Sequence, residues 1–341
     1  MYNLIRPLLF KFDPEVIHEL SLDWLGAVER LGLLSLCASK RVLNPVEVMG
    51  LSFPNHIGLA AGLDKNGDCF NALGALGFGF VEIGTVTPKP QAGNPKPRLF
   101  RLVEQEAIIN RMGFNNKGVE HLVSQVKNGR RYDGILGINI GKNKLTPDDS
   151  ALSDYLIGLD AVYPHADYVT INISSPNTPG LRTLQFGDAL NLLLEGIKAR
   201  QTLLNHEYGK YVPIAVKIAP DMTDEELQGV ASTLLNQGID GVIATNTTIS
   251  REGVENSLLA DEAGGVSGRP VKQKSTHAIS VLADTLAGQM PIIGVGGILS
   301  PDDAIEKLQA GASLLQLYSG FIYQGPKLIR DCADACANLN Q

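Results

Sequence analysis

Clustered metal ligands and paired thiols are what this 341-residue chain most plainly lacks: it has four cysteines and six histidines, all scattered. Cys37, Cys69, Cys332 and Cys336 form neither a CxxC pair nor a disulfide framework, so a reducing compartment is expected. Cys332 and Cys336, one turn apart, read as structural. No HExxH and no Cys/His cluster occurs, so no metal is expected. An excess of positive charge is missing as well. Lys+Arg 29 against Asp+Glu 36 leaves a net charge of −7, which excludes a general nucleic-acid binder. Long hydrophobic runs are absent. The longest uncharged stretch, 308–326, is broken by Gln309, Gln316, Gln324 and three glycines, and reads as strand plus loops rather than a membrane span. Arg6 and Lys11 are not followed by an apolar run with a cleavage site, so no secretory signal is expected. There is no GxGxxG after the first strand, no Walker A loop and no GxSxG elbow. The ends of the apolar runs hold neither the Ser–His pair of a hydrolase nor the paired carboxylates of a glycosidase.

What is present is regular. From residue 57 onward, eight short apolar runs recur: 57–62, 81–86, 134–140, 168–174, 214–219, 241–246, 291–297 and 314–320. Each has strand length and is apolar nearly throughout, as a strand buried on both faces must be. Between them lie segments of helical spacing, such as Leu190, Leu193, Leu194 and Ile197. Strand alternating with helix eight times predicts an α/β fold, a (β/α)8 TIM barrel, with a doubly wound sheet second. Two connections are too long for plain crossovers. Residues 99–110 read as a hairpin, and 263–270 (AGGVSGRP) as a glycine-rich patch. Insertions after barrel strands belong on the active-site face.

The first 41 residues stand outside this repeat, which divides the chain into an N-terminal helical extension, 1–41, and a barrel domain, 42–341. Asp13-Pro14-Glu15 predicts a helix start with Asp as N-cap and Pro in the first turn. Val16, Ile17, Leu20, Trp24, Leu25 and Val28 follow as an apolar stripe, and a second apolar run covers 31–38. The arm's five basic and five acidic residues cancel. Such an arm can pack on the barrel, on a partner or into a bilayer surface.

Barrel chemistry gathers where strands finish. There the chain places Gly62, Leu63, Asp64 and Lys65, then Thr85, Asn139, Asn172 with Ser174 to Asn177, Lys217, Thr245 to Thr247, Gly296 and Gly297, and Tyr318 to Gly320. Two lysines, several amides and hydroxyls, one acid and no histidine suit a planar, polar, anionic ligand. The glycines after the last two strands suggest a phosphate held by backbone N–H groups. Lys217, inside the apolar run IAVKIA, is costly unless it has a permanent partner or a chemical task. It can be a Schiff-base lysine of an aldolase acting on a phosphorylated substrate, or a fixed charge beside an anionic cofactor. NISSPNTPG (172–180), with two prolines, presents side chains on a stiff loop.

The ordered set AAGLDKNG (60–67), EIGTVTPKPQ (82–91), NRMGFNN (110–116), INIGKNK (138–144), NISSPNTPGLR (172–182), VKIAPD (216–221), ATNTT (244–248), GGVSGRP (264–270), PIIGVGGI (291–298) and YSGF (318–321) resembles the dihydroorotate dehydrogenase family across essentially the whole chain. Ser at 175, where soluble class 1 members have Cys, and the N-terminal arm resemble the quinone-dependent class 2 branch. The resemblance implies an FMN-dependent oxidation of (S)-dihydroorotate to orotate in pyrimidine biosynthesis. It implies Ser175 as the base taking the C5 proton, while C6 delivers hydride to flavin N5. Thr178 and Phe114 match positions associated with a proton-relay water.

It further implies Lys65, Asn110, Arg111, Met112, Gly113, Phe114, Asn172, Asn177, Asn246 and Thr247 around the substrate. Ala61, Gly62, Leu63, Asp64, Lys65, Thr85, Asn139, Asn172, Lys217, Thr245, Gly268, Gly297, Tyr318 and Ser319 match the FMN positions, with Lys217 stabilising the reduced ring. In class 2 members the arm rests on the membrane and forms an apolar path for ubiquinone or menaquinone, and His18 and Arg101 match polar positions on that path. The location implied is peripheral, on the cytoplasmic face of the inner membrane.

Overall fold

The computed structural model describes residues 2–34 and 38–339. Part of the second apolar run, 35–37, and with it Cys37, lies outside the described residues.

The eight apolar runs form the eight strands of a closed parallel barrel: β1 (Ile57–Leu59), β2 (Phe80–Val86), β3 (Ile135–Ile140), β4 (Tyr168–Asn172), β5 (Ile214–Ile218), β6 (Gly241–Ala244), β7 (Ile292–Val295) and β8 (Leu314–Leu317). Neighbours follow chain order, and β8 closes onto β1 through Leu315–Ile57 and Leu317–Leu59 pairing. Helices bury the outer faces, so Ile138, Ile171, Val216 and Leu315 are fully enclosed. β1, β6, β7 and β8 leave the ladder before the apolar run ends, and the residues beyond line a cavity instead of pairing.

A short hairpin, Val46–Val48 with Leu51–Phe53, precedes the barrel. Its Val48 and Phe53 pack with Phe80, Tyr168 and Leu314, which begin their strands, so the hairpin plugs the N-terminal mouth. Phe53 and Phe80 meet edge to face at 5.2 Å.

At the opposite mouth the predicted hairpin is present as Leu99–Leu102 with Ala107–Asn110. The glycine-rich patch supplies a third strand to it, Gly265–Gly268, antiparallel to Ala107–Asn110. Two insertions whose paired residues are 155 to 161 positions apart therefore make one small sheet over the C-terminal strand ends, a pairing that local pattern could not reveal.

The N-terminal residues form α1 (Tyr2–Leu9) and α2 (Pro14–Arg30). Asp13 caps α2 by accepting the Glu15 and Val16 N–H groups at 2.9 and 3.0 Å, satisfying donors that Pro14 leaves to it. Leu4, Leu8, Phe12, Leu20 and Trp24 remain more than half exposed. The arm is tied to the barrel by polar contacts: Arg6 to the Tyr323 carbonyl at 2.7 Å and Asn71 to the Glu29 carboxylate at 2.6 Å. No described helix is long and apolar enough to cross a membrane.

Candidate active site and its two cavities

Parallel register builds a polar layer inside an apolar barrel. Asn172 of β4 lies opposite Lys217 of β5, and Gly84 of β2 opposite Asn139 of β3. Thr85 donates to the Asn139 side chain at 2.6 Å and accepts from the Asn172 amide at 2.8 Å. Below them Glu82, fully buried, accepts from Asn139 (2.8 Å), Tyr168 (2.8 Å) and Gln316 (2.7 Å). Three donors make a buried carboxylate tolerable. Burial pulls the Lys217 ammonium below its ordinary pKa, and the field of Glu82 opposes that fall.

Above this layer a cavity of about 1030 Å³, its open mouth included, lies at the C-terminal strand ends. Of the sequence-predicted residues, Ala61, Gly62, Lys65, Thr85, Asn172, Lys217, Thr245, Gly268, Gly297, Tyr318 and Ser319 line it. So do Asn110, Met112, Gly113, Phe114, Ser175, Asn177, Asn246 and Thr247. Four of the residues predicted for the substrate or the flavin do not. Asn139 is fully buried and orients Thr85. Asp64 turns inward to accept the Asp68 and Cys69 N–H groups, shaping the loop after β1. Leu63 faces a different, apolar cavity. Arg111 points outward, paired with Glu262 at 2.6 Å and stacked over Phe100.

Ser175 is buried, and its hydroxyl accepts the Asn177 N–H at 3.2 Å. The Asn177 amide in turn donates to the Asn110 carbonyl at 3.1 Å, tying the β4 loop to the cap sheet. The Thr178 hydroxyl is buried with no hydrogen-bond partner among the described residues. Lys65 lines the cavity, and burial pushes its ammonium down to about 8, Arg98 acting in the same direction while Glu15 opposes.

At the far end Gly268 (φ +92) and Gly297 (φ +72) are conformations open to glycine. A β-carbon on Gly268 would meet the Glu106 carbonyl at 2.1 Å, and one on Gly297 the Lys272 α-carbon at 2.4 Å. Ser319 donates to Ser267 at 2.8 Å beside them. Backbone laid bare this way is a cradle for a phosphate. Among the described residues Lys217 makes no side-chain hydrogen bond or ion pair, as suits a cation reserved for an anionic ligand.

A second, apolar cavity of about 1800 Å³, its open mouth included, runs between the arm and the barrel. Ile17, Leu22, Leu63, Leu73 and Phe321 are among its walls, and His18 and Arg101 supply polar edges. Burial drives the His18 imidazole down to about 3, with Lys65 adding to the effect, so it is neutral at physiological pH. The Arg101 guanidinium lies 4.4 Å over the Phe10 ring. Tyr318 lines both cavities.

Glu82, Gln316, Ser267 and the barrel-side walls of the second cavity were not among the predicted site residues. Glu82 had a legible signal: an acid within the apolar run VEIGTV is as anomalous as Lys217 within IAVKIA. The arm side of the apolar cavity was legible as the stripe with Ile17, Leu20, Trp24 and Leu25, whereas its barrel side, with Leu63, Leu73 and Phe321, looks like any core. Among the described residues no group of three His, Cys, Asp or Glu side chains could hold a metal.

A closed parallel barrel with a polar, phosphate-ready cavity at its C-terminal strand ends is a (β/α)8-barrel enzyme. The family model described as dihydroorotate dehydrogenase matches residues 43–339. A Saccharophagus degradans protein named Dihydroorotate dehydrogenase (quinone) is 66% identical over 338 residues, 99% of each chain. One of the same name from Teredinibacter turnerae is 66% identical over 340 residues, 100% of each. The crystal structure of DHODH from Eimeria tenella in complex with ferulenol superposes with a TM-score of 0.88 at 39% identity, covering 96% of this chain and 91% of that one. The chain belongs to the dihydroorotate dehydrogenase family.

Proposed function

We propose that the protein oxidises dihydroorotate to orotate in pyrimidine biosynthesis and delivers the electrons to a quinone, with FMN in the polar cavity. The observation that carries this reading is Tyr318, a single side chain shared by the polar cavity and the apolar one. A redox group against it is within reach of a polar donor on one side and an apolar acceptor on the other. FMN fits the donor set: the Gly268, Gly297 and Ser319 cradle for its phosphate, Thr85, Asn172 and Thr245 along the ring, and Lys217 for negative charge. When bound, FMN accepts hydride from the substrate and releases the electrons to quinone.

The chain's own groups do the rest. Lys65 pairs with the substrate carboxylate, while the amides of Asn110, Asn177 and Asn246 hold the pyrimidine ring in plane. Ser175 takes the proton from substrate C5 while its own hydroxyl proton passes to a relay water held by the unpartnered Thr178 hydroxyl, and the Asn177 N–H fixes the serine oxygen. The buried position of the loop excludes bulk water from that proton. His18 and Arg101 border the quinone path.

Leu4, Leu8, Phe12, Leu20 and Trp24, exposed on the arm, suit contact with a bilayer and support peripheral attachment to a membrane; the cytoplasmic face of the inner membrane is the location that the family resemblance implies. An anaerobic visible spectrum tests the whole reading. Flavin bands should bleach with dihydroorotate and return with a short-chain quinone. A flavin that dihydroorotate does not bleach would refute it, and failure to reoxidise would remove the quinone step. The aldolase reading of Lys217 predicts instead a borohydride-trapped adduct, and the orphaned cation beside a phosphate cradle favours the cofactor role.

A further inference from the structure

Arg182 lines neither of the two cavities described, yet it holds together three of the strand ends around the polar one. It lies on the turn Leu181–Gln185 after the Ser175 loop. Its Nε donates to the Ser174 carbonyl at 3.0 Å, one terminal nitrogen donates to the Thr247 carbonyl at 2.8 Å, and the other pairs with Asp221 at 2.9 Å. Ser174 follows β4 and immediately precedes the proposed base, Thr247 follows β6 beside the proposed substrate amide of Asn246, and Asp221 follows β5. Asp221 in turn accepts from the Thr248 hydroxyl and from the Ile249 N–H, the latter at 3.0 Å. A second route joins the same loops: Asn246 donates to Ser174 at 2.9 Å, and Ser174 donates to Asn172 at 2.9 Å.

We infer that Arg182, seated on Asp221, is a positioning residue that sets the Ser175 hydroxyl against the ring held by Asn246 and Thr247. The inference rests on the function proposed above. A planar guanidinium carries its donors on three separate nitrogens in a fixed fork, and here each nitrogen meets a different loop; an ammonium has its three donors on one nitrogen and spans less. Without it the Ser174–Ser175 peptide and the Asn246–Thr247 segment are joined only through neutral side chains. Proton transfer tolerates little displacement: an error of ~1 Å costs ~100-fold in rate. The apolar cavity lies on the other side of Tyr318, so electron delivery to quinone does not depend on this clamp.

The test separates the two half-reactions by anaerobic stopped-flow on the flavin-loaded protein. Arg182→Met should slow reduction by dihydroorotate by ~30- to 100-fold, leaving reoxidation by a short-chain quinone and flavin content unchanged. Arg182→Lys should recover only part of the loss. Asp221→Asn should slow the same step, and the double variant should be no worse than Arg182→Met, because the two residues act as a unit. Should Arg182→Met not fold, Arg182→Lys and Asp221→Asn carry the same comparison. Unchanged reduction, or equal loss in both half-reactions, would overturn the positioning role. A wild-type flavin that dihydroorotate fails to reduce would instead overturn the proposed function.

Discussion

Glu15 of the arm and Arg98 at the start of the cap sheet form a buried ion pair, the guanidinium meeting the carboxylate at 2.8 and 3.1 Å. Both side chains are less than a tenth exposed. Arg98 also donates to the Ala92 and Asn94 carbonyls at 2.6 and 2.8 Å, and Asn94 bonds back to the Arg111 and Met112 carbonyls. The arm is thus joined through one guanidinium to the segment 110–114 that lines the polar cavity. A helix pair with an exposed apolar face is held in register by charge as well as by packing.

Glu15→Ala should therefore cost about 3 kcal/mol, since it leaves Arg98 buried without its counter-ion. Thermal unfolding at neutral pH measures this. Burial alone would raise the Glu15 carboxyl, but the Arg98 and Lys96 contacts outweigh it and hold its pKa below the ordinary value. Its folded pKa being depressed, the pair's contribution is complete above the usual carboxylate range and is lost as pH falls through the folded value. The stability difference between wild type and variant should shrink only in acid, and a difference that persisted there would contradict the assignment.

Ser175→Ala should slow flavin reduction by dihydroorotate by ~10²- to 10⁴-fold, the usual contribution of a general base. Flavin content and quinone reoxidation should be unaffected, since Ser175 lines only the polar cavity. Stopped-flow absorbance reports both, and retained fast reduction would show that another group takes the proton.

Lys65, with its pKa pushed down to about 8, should make orotate binding pH-dependent. The protonated ammonium is the form that pairs with a carboxylate. Affinity should thus be level below about pH 8 and weaken ~10-fold per unit above it, until binding no longer draws on the charge. Titrations of flavin absorbance with orotate measure this. Lys65→Met should bind weakly and without that pH dependence; a variant retaining the same profile would assign the titration elsewhere.

Leu20 and Trp24, each more than half exposed on α2, should contribute to vesicle association. Replacing both by Asp should abolish sedimentation with phospholipid vesicles, because two charges would enter the region meant for acyl chains. Reduction by dihydroorotate should survive. Vesicle binding that persisted would locate the contact elsewhere on the protein.

The sequence by itself determined the barrel and much of the polar cavity, for physical reasons that act locally. A strand buried on both faces must be apolar throughout, so eight such runs were visible without neighbours. The Asp13-Pro14 start of α2 was legible because a cap is satisfied within three residues. Lys217 stood out because a charge in an apolar strand needs a reason, and the strand ends could be named because a barrel delivers them to one mouth.

Only tertiary structure decided how those ends divide their tasks. Pairing across more than 150 residues, from Gly265–Asn110 to Gly268–Ala107, joined the strands 107–110 and 265–268 into one cap. Side-chain direction turned Asp64 inward and Arg111 outward, although both sit within motifs whose neighbours line the cavity. The apolar cavity, Tyr318 as the wall between two chemistries, and the Arg182 clamp all depend on groups far apart in the chain meeting at fixed distances. Composition and periodicity record which residues avoid water. They do not record which surfaces, once buried, face each other.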